Sequence, residues 1–379
     1  MGEFSDFDQA CMRRAILLAR QGEGLVEPNP MVGCVLARDS RQVAEGWHRR
    51  HGEAHAEVDA LRVLGESSQS CASNSASNSA RGCTAYVTLE PCCHQGKTPP
   101  CTAALLSAGV SRVVAAMLDP NPQVAGRGIA RLRAAGVRVD VGLMEAEANR
   151  LNRPFVCLFT RHRPWVIAKW AMSWDGLIAT SAGDSQWISN PSSRAVVHQI
   201  RARVDAVAVG SGTVAADDPM LTARPASDRI ASRIVFDSSA KLPIDSKLVR
   251  TAAEAPVIVI GSERADDEAV ARLRSTGCEV LCFPGDRTER IVASLRNFGA
   301  RQMTNLLIEG GGELLGSFLA AECIDEVHVF IGPKIIGGRN ALGPVGGEGI
   351  AKLSDATALS EVEVQMLDGD IYLRGDVTR

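Results

Sequence analysis

The sequence predicts two α/β domains in succession, on the grounds of its length, its composition and the alternation of its patterns. At 379 residues the chain is long enough for two domains of the usual size, roughly 100–200 residues each. Hydrophobic residues make up 45% and charged residues 22%, close to the globular average, so each half can bury a core. Helix and strand patterns alternate in both halves, as in sheets covered by helices. We predict domains at 1–148 and 165–379, joined by a proline-containing linker at 149–164.

The first half starts with a capped helix and then alternates strands with helices. Ser5 is followed three residues later by Asp8, a helix-start pattern, and we predict a helix over Ser5–Arg20. Apolar residues in short runs or at helical spacing give the other elements. The predicted strands are Met31–Ala37, Val43–Trp47, Ala85–Leu89, Arg112–Leu118 and Val137–Val141, and the predicted helices are Ala54–Leu64, Thr102–Ser107 and Ile129–Ala135. The Ser/Ala/Asn-rich stretch at 67–80 predicts a surface loop.

The second half repeats this alternation with more strands. Short apolar runs bounded by turn residues predict strands at Val166–Ala171, Asp205–Gly210, Arg233–Asp237, Val257–Gly261, Glu279–Phe283, Asn305–Glu309 and Val327–Ile331. Helices are predicted between several of them, for example Ser192–Arg203 and Glu313–Ala321. A hairpin that turns at Leu367–Asp370 closes the chain.

One glycine motif in the second half imitates a dinucleotide-binding fingerprint. Residues 210–215, with the sequence GSGTVA, follow a strand and fit the pattern G-x-G-x-x-A. The acidic residue that this motif requires about 20 residues later, at the end of a second strand, is missing. The sequence Asp217-Asp218-Pro219 also interrupts the expected helix. We therefore reject a Rossmann domain here, although the glycines still let the chain pass close to a cofactor.

Charge and composition argue against nucleic-acid and membrane partners. Lys and Arg number 41 against 44 Asp and Glu, and aromatic residues make up only 4%, which disfavours a nucleic-acid binder. No apolar run approaches the ~18 residues of a membrane span, and the first 20 residues lack the features of a targeting segment. We expect a cytoplasmic protein whose 11 cysteines are reduced thiols, some of them metal ligands.

A constellation of His, Glu and Cys residues in the first half predicts a zinc-dependent deaminase. His55-Ala56-Glu57 is followed downstream by Pro91-Cys92 and then by Cys101. Zinc deaminases hold the metal with one His and two thiolates, while the Glu of His-x-Glu moves protons. Three protein ligands leave the fourth tetrahedral position to water, which is typical of a catalytic site. We therefore predict His55, Cys92 and Cys101 as zinc ligands and Glu57 as the catalytic acid/base.

The spacing imposes conditions on this site and leaves alternatives open. His55 and Glu57 do not share a helix face, so we place both in the first turn, below a metal at the helix end. Cys101 follows two prolines and should begin a helix, where a thiolate is stabilised. The second Cys lies nine residues after Cys92 instead of in C-x-x-C, and Cys93 could replace Cys92 as a ligand. With Cys93 or His94 as a fourth ligand, the site would instead be structural.

The sequence resembles the bifunctional deaminase/reductase family of bacterial riboflavin biosynthesis over nearly its whole length. The matching motifs of the first half are Val26–Gly33, Gly46–His48, Gly52–Glu57, Thr88–Cys92 and Lys97–Cys101, and those of the second half are Lys169–Gly176, Ser185–Ser189, Gly210–Thr213, Asp217–Arg224, Ile308–Gly312 and Gly332–Lys334. The long Cys-to-Cys spacing is this family's own form. The resemblance implies a cytidine-deaminase-like α/β/α domain followed by a dihydrofolate-reductase-like α/β domain that uses NADPH.

The resemblance also implies the two reactions and the residues that serve them. The deaminase would remove the 2-amino group of a diamino-pyrimidinone ribosylamine 5′-phosphate, and the reductase would then convert the ribosyl group to ribityl. The implied substrate contacts in the first domain are Asn29, His48, His94 and Lys97. The implied NADPH contacts are Ala171, Trp187, Thr213, Asp217, Ser238, Gly311, Gly312, Glu313, Leu314, Leu315, Gly316 and Ser317. The implied substrate contacts in the second domain are Lys169, Ser185, Arg201, Leu221, Arg224 and Glu309.

Several points remain open at this level. Arg201 and Arg224 could clamp the 5′-phosphate of the substrate through bidentate contacts, whereas a single Arg taken alone would be read as a surface charge. Lys169 and Glu309 end predicted strands and either supply a proton to the ribose or only position it. We expect a homodimer or homotetramer formed through the second domain. The competing interpretation is a nucleoside or tRNA-base deaminase whose second domain serves only for oligomerisation.

Overall fold

The protein forms two compact units, each built around one sheet. The structure, a computed structural model, describes residues 4–69, 80–94, 99–227 and 229–378. The units comprise Met1–Arg161 and His162–Arg379. Among the described residues, no helix has the length and apolar character needed to cross a membrane.

The first unit is a five-stranded sheet with helices on both faces. Its strands are β1 (Gly33–Arg38), β2 (Arg41–Trp47), β3 (Thr84–Val87), β4 (Arg112–Ala115) and β5 (Arg138–Val141), and its helices are α1 (Asp6–Ala19), α2 (Ala56–Gln69), α3 (Cys101–Ser107), α4 (Arg127–Ala134), α5 (Glu145–Leu151) and α6 (Arg153–Arg161). The sheet order is β2-β1-β3-β4-β5, with β1 antiparallel to both neighbours and β3 to β5 parallel. One apolar core includes residues of α2, α3 and α4, and a second includes residues of α1, α5 and α6. The predicted α/β/α class is confirmed.

Local contacts explain why α1 and α2 lie where they do. The Ser5 hydroxyl accepts a hydrogen bond from the Asp8 backbone N–H, and the Asp8 carboxylate accepts one from the Ser5 N–H, which confirms the predicted helix start. A Cβ at Gly46 of β2 would lie 2.3 Å from the Ala60 nitrogen of α2. Glycine at this position therefore lets the backbones of β2 and α2 pack in direct contact, which fixes the start of α2.

Two segments of this unit differ from the sequence-based expectations. Most of the predicted linker at 149–164 is helical, because it contains the end of α5 and the whole of α6. Pro154 does not prevent α6, since it lies in the first helical turn, where its missing N–H has no partner to lose. Helix α2 continues to Gln69, beyond the predicted Leu64, and residues 70–79 of the predicted surface loop lie outside the described residues. The functional domain boundaries at 148 and 165 stay a prediction.

The second unit is a nine-stranded sheet. Its strands are β6 (Trp165–Ser173), β7 (Ala206–Gly210), β8 (Ser232–Phe236), β9 (Val257–Ser262), β10 (Glu279–Phe283), β11 (Asn305–Glu309), β12 (Glu326–Gly332), β13 (Leu359–Leu367) and β14 (Asp370–Val377), and its helices are α7 (Pro191–Arg201), α8 (Ser211–Asp217), α9 (Lys247–Arg250), α10 (Asp267–Ser275), α11 (Arg287–Ala300) and α12 (Gly312–Ala320). The order is β10-β9-β8-β7-β11-β6-β12-β14-β13. The first seven strands in this order are parallel to one another. Strand β14 is antiparallel to both of its neighbours, β12 and β13.

The pattern of burial explains this topology. Strands β7, β9 and β11 are almost entirely buried, as expected for parallel strands covered on both faces. All predicted strands of this unit and the closing hairpin are confirmed. The glycine motif after β7 opens only the short helix α8, which ends before Asp218, a residue with a left-handed φ of 38°. Because β8, β7, β11 and β6 are parallel neighbours, their carboxyl ends lie at one edge of the sheet, where α/β proteins bind their ligands.

Candidate active sites

The first unit brings the three predicted zinc ligands together. His55 directly precedes α2, Cys92 lies on the loop after β3, and Cys101 is the first residue of α3. The His55 Nδ1 lies 3.2 Å from the Cys101 Sγ and 3.6 Å from the Cys92 Sγ. Tetrahedral zinc with its usual bond lengths separates N and S ligands by about 3.5 Å. The three donors therefore fit zinc in both chemistry and spacing.

No further side chain closes this cluster among the described residues. The ligand atoms of His55, Cys92 and Cys101 lie within 4.8 Å of one another, and no fourth His, Cys, Asp or Glu of the described part of the chain joins them. Cys93 is not part of this cluster, and its carbonyl oxygen accepts a contact from the Arg131 Nη1 at 3.5 Å. His94 is exposed. This arrangement is that of a catalytic site rather than a structural one.

The first backbone N–H of α3 donates its hydrogen bond to the sulfur of Cys92 and not to that of Cys101. The backbone N–H of Cys101 donates to the Cys92 Sγ at 3.3 Å. Hydrogen bonds from the Cys101 thiol, from His55 and from this N–H lower the pKa of Cys92 to about 4. The neighbouring Cys92 sulfur and burial raise the pKa of Cys101. The expectation that the helix start stabilises the thiolate of Cys101 is thus wrong, because the Cys101 N–H donates to the Cys92 sulfur instead.

Glu57 lies beside the ligands without belonging to them. It is the second residue of α2 and is 3% exposed. Burial raises the pKa of its carboxyl group, and the Cys92 thiolate raises it further. A carboxyl group held in this way exchanges protons more readily near neutral pH than an exposed one.

Asn29 and His48 form a fixed pair next to the zinc ligands. The His48 Nδ1 lies 3.0 Å from the Ala54 carbonyl oxygen, and its Nε2 lies 3.1 Å from the Asn29 Nδ2. Because a carbonyl oxygen can only accept, Nδ1 carries the hydrogen and Nε2 accepts from the Asn29 amide. Burial lowers the pKa of His48, which favours this neutral form, and the ring packs edge-on against His55. The predicted contact Lys97 lies outside the described residues.

Sequence reasoning missed Glu90, which anchors the loop that carries Cys92. Glu90 is 3% exposed. Its two oxygens accept four backbone N–H groups at 2.8–3.2 Å, those of Asp119, Gly126, Gly128 and Ile129. A Cβ at Gly128 would lie only 2.1 Å from the Pro91 carbonyl oxygen, so the start of α4 contacts this loop directly. The only local signal was a Glu that precedes Pro91-Cys92.

We expect Glu90→Ala to lower the free energy of unfolding by about 2–3 kcal/mol, because buried N–H groups lose their acceptor. Urea denaturation measures this change, and zinc release to a chelator should also become faster as the Cys92 loop loosens. Glu147→Ala removes an exposed carboxylate from the same unit and should change stability by less than about 0.5 kcal/mol. Equal zinc release from wild type and Glu90→Ala would contradict the anchoring role.

The second unit holds a cavity of about 1100 Å³ at the carboxyl edge of its sheet. Nearly all positions that the resemblance assigned to this unit line it, namely Lys169, Ala171, Ser185, Trp187, Arg201, Thr213, Asp217, Leu221, Arg224, Ser238, Glu309 and 311–315. Gly316 and Ser317 do not line it. Gly316 instead lets α12 pack against the backbone at Gly346, where a Cβ would lie 2.1 Å from the carbonyl oxygen.

Three charged side chains meet at one end of this cavity. Lys169 of β6 and Glu309 of β11 are register partners on adjacent strands. The Nε and Nη2 of Arg201 donate to the two oxygens of Glu309 at 2.5 and 2.8 Å, and Nη1 donates to the Thr222 carbonyl oxygen. The bidentate face of Arg201 therefore binds Glu309, which differs from the phosphate clamp that we expected. The side chain of Arg224 is exposed.

The protonation of these groups follows from their contacts. Burial raises the pKa of Glu309, but Arg201 and Lys169 outweigh it, and the pKa lies below its usual value. Burial and the charge of Arg201 lower the pKa of Lys169, against the opposing effect of Glu309. Glu309 is thus an anion that does not donate a proton at neutral pH, whereas Lys169 gives up its proton more easily than an ordinary lysine.

The glycine turn after β11 fits the phosphates of a dinucleotide. Gly310 and Gly311 have φ values of 86° and 79°, a conformation that favours glycine. A Cβ at Gly311 would lie 3.3 Å from the Thr213 Oγ1 across the cavity. Helix α12 begins at Gly312 without a side-chain cap, and its first turn lines the cavity. Such a helix start binds phosphate, and these residues therefore fit NADPH.

Comparison with known proteins matches each unit to a known family. The model of the cytidine and deoxycytidylate deaminase zinc-binding region matches residues 5–117, and that of the RibD C-terminal domain matches 164–373. Riboflavin biosynthesis protein RibD of Actinobacillus pleuropneumoniae is 42% identical over 96% of this chain and 93% of its own length. The corresponding protein of Aquifex aeolicus is 38% identical over 97% and 98%.

Solved structures are similar over the same length. RibD of Acinetobacter baumannii has a TM-score of 0.84 and 34% identity, and it covers 98% of this chain and 99% of its own. A diaminohydroxyphosphoribosylaminopyrimidine deaminase/5-amino-6-(5-phosphoribosylamino)uracil reductase of Thermotoga maritima has a TM-score of 0.82 and 35% identity with the same coverage. Similarity of this extent in both sequence and structure shows that the chain belongs to the RibD family of bifunctional pyrimidine deaminases and reductases of riboflavin biosynthesis.

Proposed function

We propose that each unit catalyses one of two successive steps on the same phosphorylated pyrimidine. The first unit deaminates 2,5-diamino-6-ribosylamino-4(3H)-pyrimidinone 5′-phosphate, and the second reduces the ribosyl group of the product to ribityl with NADPH. The observation that supports this most directly is the fit of His55, Cys92 and Cys101 to zinc beside the buried Glu57. The cavity around Lys169 and Glu309 supports the second step.

In the deaminase unit, Glu57 transfers the protons of the reaction. His55, Cys92 and Cys101 would hold zinc, which would supply a water molecule with a pKa lowered to about 7. The Glu57 carboxylate accepts a proton from the attacking water and delivers protons to the ring nitrogen and to the departing ammonia. Because His48 holds the NH₂ group of Asn29, the amide oxygen of Asn29 is left to accept a hydrogen bond from the substrate. His94 and Lys97 are proposed as further substrate contacts.

In the reductase unit, Lys169 supplies a proton and Glu309 positions both Lys169 and the ribose. Thr213 and the turn at 311–315 would hold NADPH, which would supply the hydride for C1′ of the ribose. Reduction there opens the ribose and requires a proton on an oxygen, which the Lys169 ammonium group donates. Glu309 stays ionised through Arg201 and orients both the lysine and the ribose. Ser185, Leu221 and Arg224 complete the substrate side.

The experiment is to incubate zinc-loaded protein with the diamino-pyrimidinone ribosylamine phosphate, first without and then with NADPH. Ammonia release without NADPH, followed by NADPH oxidation after its addition, is the expected result. Ammonia release without any NADPH oxidation would leave a deaminase with a silent second unit, which is the competing interpretation. No ammonia release would contradict the proposed substrate. A cytoplasmic location stays a prediction.

We further propose that the chain forms a homo-oligomer through β13. This strand lies at the edge of the nine-stranded sheet, and one of its faces exposes Val362, Val364 and Met366 by 55–66%. An edge strand with an exposed apolar face is a common site of self-association.

Val364→Glu should therefore shift the molar mass, measured by light scattering, from that of the oligomer to that of the monomer. Gln365→Glu adds the same charge on the opposite face of β13 and should leave the oligomer intact. A monomeric wild type, or an unchanged mass for Val364→Glu, would contradict this interface.

A further inference from the structure

Two arginines line the part of the reductase cavity that is remote from Lys169. Lys169 and Glu309 belong to β6 and β11, whereas Ser238 and Ile260 line the cavity from the ends of β8 and β9. Strand β9 lies four strands from β6, a distance of roughly 19 Å at the usual strand spacing. Arg287 and Arg290 of α11 also line the cavity. With its nicotinamide at Lys169 and its phosphates at the glycine turn, a dinucleotide would extend its adenosine toward β8 and β9.

Arg287 contacts the segment predicted to bind the cofactor. Its Nη1 lies 3.3 Å from the Glu313 Oε2 and 3.3 Å from the Ser317 Oγ, both in the first two turns of α12. The ion pair with Glu313 is open to solvent, since the two side chains are 58% and 78% exposed. Such an exposed pair contributes little, so an incoming phosphate can take the place of Glu313.

Arg290 lies one turn further along the same helix. Its Nη1 donates to the Gly285 carbonyl oxygen at 2.6 Å, and no carboxylate pairs with it in the described part of the chain. The nearby carboxylates of Asp286 and Glu289 accept the backbone N–H groups that cap α11. Residues three apart on a helix share a face, so the two guanidinium groups can act on one ligand.

We propose that Arg287 and Arg290 bind the 2′-phosphate of NADPH and thereby make the reductase prefer NADPH over NADH. A guanidinium group forms paired hydrogen bonds with a phosphate monoester, and NADH offers only a neutral hydroxyl at this position. The inference rests on the proposed use of a nicotinamide dinucleotide by the second unit. To that proposal the inference adds Arg287 and Arg290 as the residues that distinguish NADPH from NADH.

The test measures binding rather than turnover. The whole, zinc-loaded protein is titrated with NADP⁺, NAD⁺, adenosine 2′,5′-bisphosphate and AMP by isothermal calorimetry. The double variant Arg287→Gln/Arg290→Gln should bind NADP⁺ and the bisphosphate about 10- to 100-fold more weakly, as expected for the loss of charge-assisted hydrogen bonds. Its affinity for NAD⁺ and AMP should stay within about twofold of wild type. Arg272→Gln, an exposed Arg on α10, should change none of the four affinities.

The outcomes separate this inference from the proposed function. A double variant that still prefers NADP⁺ as strongly as wild type would overturn the role of these arginines, while the reductase assignment would stand. Equal loss of NADP⁺ and NAD⁺ affinity would also overturn it, because the arginines would then act on a part common to both dinucleotides. A wild type that binds neither dinucleotide and oxidises no NADPH would instead contradict the reductase function itself.

Discussion

Glu57→Gln is expected to lower the turnover of the deaminase by at least about 10³-fold, because it removes the group that moves every proton of the reaction. Glutamine keeps the shape and the burial of the side chain but cannot accept a proton from water. The zinc content should stay at the wild-type level, since Glu57 is not one of the three ligands. Ammonia release gives the rate, and metal analysis of the same sample gives the zinc content.

The second unit provides the internal control for this variant. When the deaminated intermediate is supplied, Glu57→Gln should oxidise NADPH at the wild-type rate, because its cavity is built from other residues. Asp59 lies two residues further along α2, and its carboxylate binds Arg49 and Arg62 instead of facing the zinc ligands. Asp59→Asn should therefore keep most of the deaminase activity. Full activity of Glu57→Gln would mean that another group carries the protons.

The sequence predicted the elements of the fold and the zinc ligands because both leave local patterns. Apolar runs between turn residues identified the strands of the second unit, and short local motifs identified His55 before α2, Cys92 on the loop after β3 and Cys101 at the start of α3. The helices within the predicted linker at 149–164 were not expected from the sequence. Pro154 and several arginines suggested an irregular segment, yet α6 buries Phe155 and Leu158, which tertiary packing stabilises.

The contacts that the sequence could not predict join residues far apart in the chain. Arg201 and Glu309 are 108 residues apart, and only the folded sheet shows that the arginine binds a carboxylate instead of being available as a clamp for phosphate. Glu90 reaches backbone groups 29–39 residues away. Arg287 lies on a helix that carries no cofactor motif, and its proximity to α12 depends on how α11 and α12 pack. Long-range pairs of this kind leave no periodic signal.

Lys169→Met should lower the turnover of the reductase about 10²- to 10⁴-fold, the range expected when a proton donor is lost. Methionine fills a similar volume beside Phe330 without a charge, so the cavity should keep its shape and bind NADP⁺ as before. Lys241→Met, at an exposed position of the same unit, should have no effect. Turnover is measured as NADPH oxidation with the deaminated intermediate supplied directly.

The pH dependence distinguishes a proton donor from a residue that only positions the ribose. A donor must be protonated, so the wild-type turnover should fall as the pH rises through the pKa of Lys169, which burial places below the usual value for lysine. Glu309 must be ionised, and because its pKa lies below the usual value, no loss is expected down to mildly acidic pH. Lys169→Met should lose the alkaline decline together with the rate. A variant that keeps the wild-type pH profile at a lower rate would show that Lys169 positions the ribose and that the proton comes from water.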